Sequence, residues 1–281
     1  MRARADLARQ VREFFYQRGV LEAQTATLAA CAVTDPAVEA IAVPGAGYLQ
    51  TSPEYQLKRL LAAGAPSLYQ LGPVFRAGEA GSRHNPEFTM LEWYRLGFDH
   101  RALMAEVADL VSMALGPAEY RTLGYAEVVA RAPAAALEQV VSPLSERERL
   151  DLAFSAGLDT LGAGRYFIVD YPADQAALAR LDASDPTVSE RFELVVDGLE
   201  LANGYHELGD AQLLRRRFEI DQTRRRAAGQ QVPAIDERFL AAMAEGLPDC
   251  AGVALGFDRL LMLRTGARSL REVLAFPADL A

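Results

Sequence analysis

Cysteine is scarce: Cys31 and Cys250 are the only two in 281 residues, far apart and in no paired motif. That excludes a disulfide framework and a cysteine-built zinc site, and it points to a reducing cytoplasm. Long apolar runs are missing too, so no stretch reads as a membrane span. The opening segment, Met1 to Asp6, is basic but leads into a mixed helix without an apolar run, so a secretory signal is not expected. No internal repeat and no low-complexity tract is present. Positive charge is in deficit: 29 Lys and Arg against 38 Asp and Glu leave a net charge of −9. Proteins that wrap nucleic acid draw most of their affinity from phosphate contacts, so a tight nucleic-acid complex is not expected. The one dense basic stretch, Arg215-Arg216-Arg217 with Arg224-Arg225-Arg226, reads as a solvated helix face.

What is present is ample apolar material. Hydrophobic residues make up 51% of the chain, enough for one large domain or two unequal ones. Residues 5–18 read as an amphipathic helix with Leu7, Val11, Phe14 and Phe15 on one stripe. Ser52 suits an N-cap, Pro53 the first helical position and Glu54 the positive first turn, so a helix is expected from there to about Gly64. Two strands, Leu68–Arg76 and Asn85–Gly97, flank a polar loop. A helix follows over about 100–115. Residues 116–165, punctuated by Pro117, Pro133 and Pro143, read as a small helical insertion. Tyr166–Tyr171 is an apolar strand, Arg191–Gly204 a hairpin turning at Asp197-Gly198, and 208–229 a helix. A small-residue strand, Ala251–Gly256, runs into a helix over Phe257–Leu263.

Three constellations carry chemistry. The loop between the first two strands holds Arg76, Arg83, His84 and two glycines, and guanidinium forks in a Gly-rich loop suit phosphate oxygens. In the following strand, alternation puts Phe88, Met90, Glu92 and Tyr94 on one face, a poor core and a good pocket. In the second hairpin, a turn at Asp197-Gly198 sets Glu193 opposite Ala202 and diagonal to Glu200. Glu193, Val195, Glu200 and Ala202 then share a face, with diagonal neighbours roughly 7–8 Å apart. Two carboxylates without His or Cys suit magnesium held together with a substrate's phosphates. The third piece, Gly256-Phe257-Asp258-Arg259, brings an arginine to a helix N-terminus, where anions are favoured.

In this order the three pieces resemble motifs 2 and 3 of the class II aminoacyl-tRNA synthetases, with the acidic hairpin between them. Phe75-Arg76 opens motif 2, and His84-Asn85-Pro86-Glu87-Phe88-Thr89-Met90-Leu91-Glu92 closes it in the manner of the lysine-specific members. Arg191-Phe192-Glu193 and the run Glu200 to Leu208 match the metal and substrate hairpin, and Gly256 to Arg259 matches motif 3. The likeness covers nearly the whole chain. It is greatest to the ligase subgroup that modifies elongation factor P. The match begins at the first residues, so no anticodon-binding domain is expected. Ala202 stands where tRNA-charging members usually have Gly. The run Thr51–Leu61 and Glu92-Trp93-Tyr94-Arg95 fit that subgroup as well.

The resemblance implies an α/β (α+β) catalytic domain over 1–281, a mainly antiparallel sheet flanked by helices. It implies ATP and Mg2+, an aminoacyl-adenylate, lysine or β-lysine as small substrate and elongation factor P as acceptor. It further implies a cytoplasmic homodimer with no tight hold on tRNA. Arg76 and Arg259 are then the catalytic arginines. ATP contacts fall to Arg76, Glu79, Arg83, His84, Asn85, Phe88, Glu193 and Arg259, and metal to Glu193 and Glu200. Substrate contacts fall to Glu54, Glu92, Tyr94, Ala202, Asn203, Tyr205 and Glu207. Two departures stand out. Gly78 replaces the usual motif 2 glutamate, so either Glu79 substitutes or an adenine contact is lost. Ala26 replaces the proline near the end of motif 1, which builds the dimer interface in the family. The rival readings are a truncated synthetase that charges tRNA and a regulatory paralogue that binds amino acid or adenylate without turnover.

Overall fold

The computed structural model describes residues 1–138 and 145–281; Pro143 of the expected insertion lies outside them. The first part runs α1 (Arg2–Gln17), β1 (Leu21–Glu22), β2 (Leu28–Ala29), β3 (Ala42–Val43), β4 (Gly47–Leu49) and α2 (Glu54–Ala62). Then come β5 (Leu68–Phe75), β6 (Glu87–Leu96), α3 (His100–Leu115), β7 (Tyr120–Gly124), α4 (Tyr125–Val129), α5 (Ala134–Glu138) and α6 (Glu146–Asp159). The last part is β8 (Arg165–Pro172), β9 (Val188–Val196), β10 (Leu199–His206), α7 (Ala211–Ala227), α8 (Glu237–Gly246), β11 (Cys250–Gly256) and α9 (Phe257–Thr265).

Among the described residues, eight strands form one sheet in the order β1-β5-β6-β11-β10-β9-β8-β7. The outermost pairs, β1 with β5 and β7 with β8, are parallel, and the interior pairs are antiparallel. Alternation decides which face does what. On β6 the odd residues Leu91 and Trp93 are fully buried in the main core, and the even residues Phe88, Met90, Glu92 and Tyr94 line a cavity on the other face. The core face is covered by α1, α3 and α9. The expected α1 stripe of Leu7, Val11, Phe14 and Phe15 is the buried one. Phe15 stacks on Tyr69 with ring centroids 4.3 Å apart. Full burial of such side chains stabilises by about 1.5–3 kcal/mol each before chain entropy is counted.

On the other face, α2, α7 and α8 build a second cluster around Leu214, Phe218, Phe239 and Tyr55. Together with the bare part of the sheet they enclose the cavity. No helix among the described residues is long and apolar enough to cross a membrane.

Two expectations change. The segment 116–165 is not helical throughout: Tyr120–Gly124 adds a parallel edge strand beside β8. Its Ala-rich surroundings hide a five-residue strand whose pairing partner lies some forty residues later in the chain. The basic stretch is not a plain solvated face either. Arg225 is fully buried, donating to the carbonyls of Thr34, Asp35, Val38 and Gln231 and pairing with Glu39. Arg217 donates to the carbonyls of Ala177 and Ala179. Arg215 pairs with Glu237, while Arg216 and Arg224 border the cavity. A window of sequence cannot show that α7 lies along the 34–39 loop; five donors to backbone oxygens and one carboxylate make Arg225 the clasp that holds it.

Candidate active site

The cavity has a volume of about 1830 Å³, and every candidate site residue named from the sequence lines it. The β5–β6 loop supplies one wall. Arg76 stands at the end of β5, its guanidinium 5.2 Å from the Phe88 ring centroid and 3.4 Å from Glu79. Its Nε is buried without a hydrogen-bond partner among the described residues. Gly78 has φ +76°, a conformation that side chains resist, and this turn folds Glu79 back over Arg76. Arg83 donates to the carbonyl of Gly198 at 3.2 Å and so ties the loop to the β9–β10 turn. Asn85 is already engaged on both ends, donating to Glu87 O and accepting from Ala278 N.

The β9–β10 hairpin supplies the floor. Its turn pairs Val196 with Leu199 and Val195 with Glu200, as the sequence predicts. Beyond it the register slips: Leu201 is an extra residue in a bulge. Asn203, not Ala202, therefore stands opposite Glu193, and Ala202 stands between Leu194 and Leu255 in the core, bordering the cavity only from there. The shared face expected for Ala202 with Glu193 and Glu200 is corrected by this bulge, which no residue type announces. Glu193 and Glu200 still line the cavity together, near enough for the Glu193 charge to act on Glu200. The walls of the cleft and the nearby Glu193 raise the Glu200 pKa, although half of that side chain faces open space. Arg191 bonds one Glu193 oxygen, accepts nothing, and also donates to Asn203 Oδ1 at 3.3 Å. Arg259 closes this end, donating to the Glu200 carbonyl at 2.7 Å and to His84 Nε2 at 3.0 Å. Burial and the Arg259 guanidinium hold His84 below the ordinary histidine range, so its ring accepts as a neutral base.

The far end of the cavity is acidic. Glu92 is buried and accepts from Ser52 Oγ and Tyr94 Oη, each at 2.7 Å. Glu207 is buried, and its Oε1 has no hydrogen-bond partner among the described residues. Burial first, and Glu54 among its neighbours, push Glu92 up to about 7 and Glu207 up to about 8. Gly252 makes this corner possible: a Cβ there would lie 2.3 Å from the Tyr94 ring and 2.5 Å from Glu207 Oε1. Between Glu54 and Glu207 sits Lys58, at 2.6 and 2.5 Å. Sequence reasoning missed Lys58, Ser52 and Arg191. The Glu54–Lys58 spacing of four on a helix was the available signal for the first.

The arrangement can hold a polyanion at its arginine end and cations at its carboxylate end, with a carboxylate pair between. A family model described as tRNA synthetases class II (D, K and N) matches residues 1–280. The elongation factor P–(R)-β-lysine ligase of Vibrio vulnificus (strain YJ016) is 43% identical over 310 residues, covering 100% of this chain and 96% of that protein. Those of Vibrio cholerae serotype O1 and Yersinia pestis (strain Pestoides F) are each 43% identical over 307 residues, covering 99% of this chain and 94% of theirs.

Proposed function

Since the chain belongs to the class II tRNA synthetases of the D, K and N group, we propose that it activates (R)-β-lysine, or lysine, with ATP and transfers it to a lysine side chain of elongation factor P. The relatives' shared name supports the substrate pair. One structural observation carries the reading to this chain's own residues: three carboxylates, Glu54, Glu92 and Glu207, gather at one end of the cavity around a single internal ammonium. That leaves room, electrically, for the two ammonium groups of a diamino acid.

In the first step a carboxylate oxygen of the amino acid attacks the α-phosphorus of ATP, and the bond to the β-phosphate oxygen breaks to release pyrophosphate. Arg76 donates to the α-phosphate oxygens as charge grows there, and Phe88 stacks on adenine. Arg259, with Arg83 and the neutral His84, holds the distal phosphates. Glu193 and Glu200 fit Mg2+: both are hard oxygen donors, Glu193 keeps one oxygen clear of Arg191, and the mutual repulsion of the pair calls for a cation. Bound there, the ion would neutralise phosphate charge. In the second step the acceptor amine attacks the acyl carbonyl, loses a proton, and AMP departs. Glu54, Glu92 and Glu207 receive the substrate ammonium groups, with Tyr94, Asn203 and Tyr205 as neutral contacts and Ala202 narrowing the space from below. Positioning and charge stabilisation carry both steps. The enzyme works in the cytoplasm as one catalytic domain, as a homodimer, and without a tight tRNA complex.

The test is direct. The protein is incubated with ATP, Mg2+ and β-lysine or lysine, with purified elongation factor P or lysine tRNA as acceptor, and products are weighed by mass spectrometry. A β-lysyl mass increment on one lysine of elongation factor P is expected. Charging of the tRNA instead would favour the truncated synthetase, and no adenylate at all would favour the regulatory paralogue.

The acidic pocket also fixes a pH dependence. Glu92 and Glu207 receive ammonium groups only when ionised, and their pKa values of about 7 and about 8 lie above the ordinary glutamate value. Below pH 7 substrate must displace protons. KM for β-lysine is therefore expected to fall as pH rises from 6 to 8, by up to about tenfold per unit for each proton displaced, and then level off. Pyrophosphate exchange across this range checks it; a flat KM would remove both carboxylates from substrate contact.

A further inference from the structure

The chain uses arginine at 28 positions and lysine at one, Lys58. That side chain is fully buried. It rises from the second turn of α2 to reach Glu54 Oε1 at 2.6 Å and Glu207 Oε2 at 2.5 Å, and it lies 6.0 Å from the centre of the Tyr94 ring. Stability is a poor reason for it to be there. Desolvation offsets the attraction of a buried ion pair, so such pairs contribute little net. Arginine, the cation this chain uses everywhere else, is no substitute, since its planar fork is larger and directs its donors differently from a compact ammonium.

We propose that Lys58 is a positioning residue that sets the charge deficit of the substrate pocket. Its ammonium, fixed between Glu54 and Glu207, leaves three carboxylates facing one internal cation, so the pocket is completed by a ligand bringing two ammonium groups. Resting on the diamino-acid reading above, this assigns the selection of a doubly cationic substrate to a residue that need not touch it. Without Lys58 the pocket would carry one more uncompensated charge, and Glu54 and Glu207 would lose the anchor that aims them. Burial drags the Lys58 ammonium toward neutrality, but Glu207 and Glu54 outweigh that pull and hold it above its ordinary range, so it stays charged.

Lys58→Met tests the assignment by pyrophosphate exchange. KM for β-lysine should rise by about tenfold or more while kcat at saturation and KM for ATP change by less than about threefold, the signature of lost ground-state placement. The fall of KM with pH should move to the alkaline side by about one unit, because the remaining carboxylates lose a neighbouring cation. In Lys58→Ala, millimolar n-propylammonium should lower the raised KM saturably. An unchanged KM in the folded variant overturns the proposal, as does an equal loss in kcat with the pH profile in place, which marks a merely structural lysine. If the variants do not fold, the wild-type protein decides. Grown with 15N-labelled lysine it has a single side-chain ammonium resonance, which should shift on saturation with β-lysine and stay put with ATP alone; no shift with β-lysine overturns the proposal. An unmodified enzyme inert toward both β-lysine and lysine would instead overturn the functional reading itself.

Discussion

Glu200→Gln is expected to cut amino-acid-dependent pyrophosphate exchange by about a thousandfold, in line with the several kcal/mol that charge neutralisation at transferring phosphates supplies. The substitution keeps the shape and removes the charge. In the folded chain Glu200 lies across the hairpin from Glu193, and burial together with the Glu193 charge makes Glu200 costlier to ionise. That tension is what a divalent cation relieves, and a lone Glu193, already bonded to Arg191, would hold such an ion weakly. Arg259 keeps its bond to the Glu200 carbonyl, which the variant retains, so the arginine end should stay in place. The check is exchange measured over a wide range of Mg2+, with circular dichroism to establish folding. Part of the loss should be recovered at high Mg2+. A rate near wild type at low Mg2+ would remove Glu200 from the site.

Arg76→Ala should cost about a hundredfold or more in kcat and only a few-fold in KM for ATP, the expected size for one lost oxyanion-type donor. Arg76 is held rather than mobile: Glu79 lies on one side, Phe88 beneath, and the backbone N–H donates to Pro86 O at 2.9 Å to close the loop. Among the described residues its buried Nε has no partner, a donor whose desolvation goes uncompensated until an acceptor oxygen arrives. A preorganised donor of this kind acts most strongly where charge develops during reaction. Single-turnover adenylate formation, compared with equilibrium ATP binding, separates the two effects. If only ATP affinity falls, Arg76 is a binding residue.

Much of this was readable in the residue order. Period-two alternation put Phe88, Met90, Glu92 and Tyr94 on one face, and the α1 stripe named its own buried side. The gathering of the polar loop, the acidic hairpin and Arg259 was a different matter, since no local pattern brings residues more than a hundred positions apart into one cavity; resemblance supplied that. The misses have physical causes. The bulge at Leu201 shifts the strand by one residue, and with a period of two that is enough to send Ala202 to the core. Arg225 looked solvated because burial of a guanidinium depends on carbonyls almost 190 positions away. Lys58 looked like half of an ordinary helical ion pair, since its second partner, Glu207, comes from β10.

The isolation of Lys58 bears on how the enzyme survives its own product. An acyl-adenylate is an electrophile waiting for an amine, and it forms within a protein shell that on most chains would be studded with lysine amines. Here the sole lysine is fully buried at the acidic end of the cavity, clamped by two carboxylates and kept protonated, so it has no lone pair to offer. The guanidinium groups that replace lysine elsewhere remain protonated at any working pH and are poor nucleophiles. The catalyst therefore carries no lysine side chain that could intercept the acyl group, and a lysine presented by another protein meets no competitor of its kind on the way in.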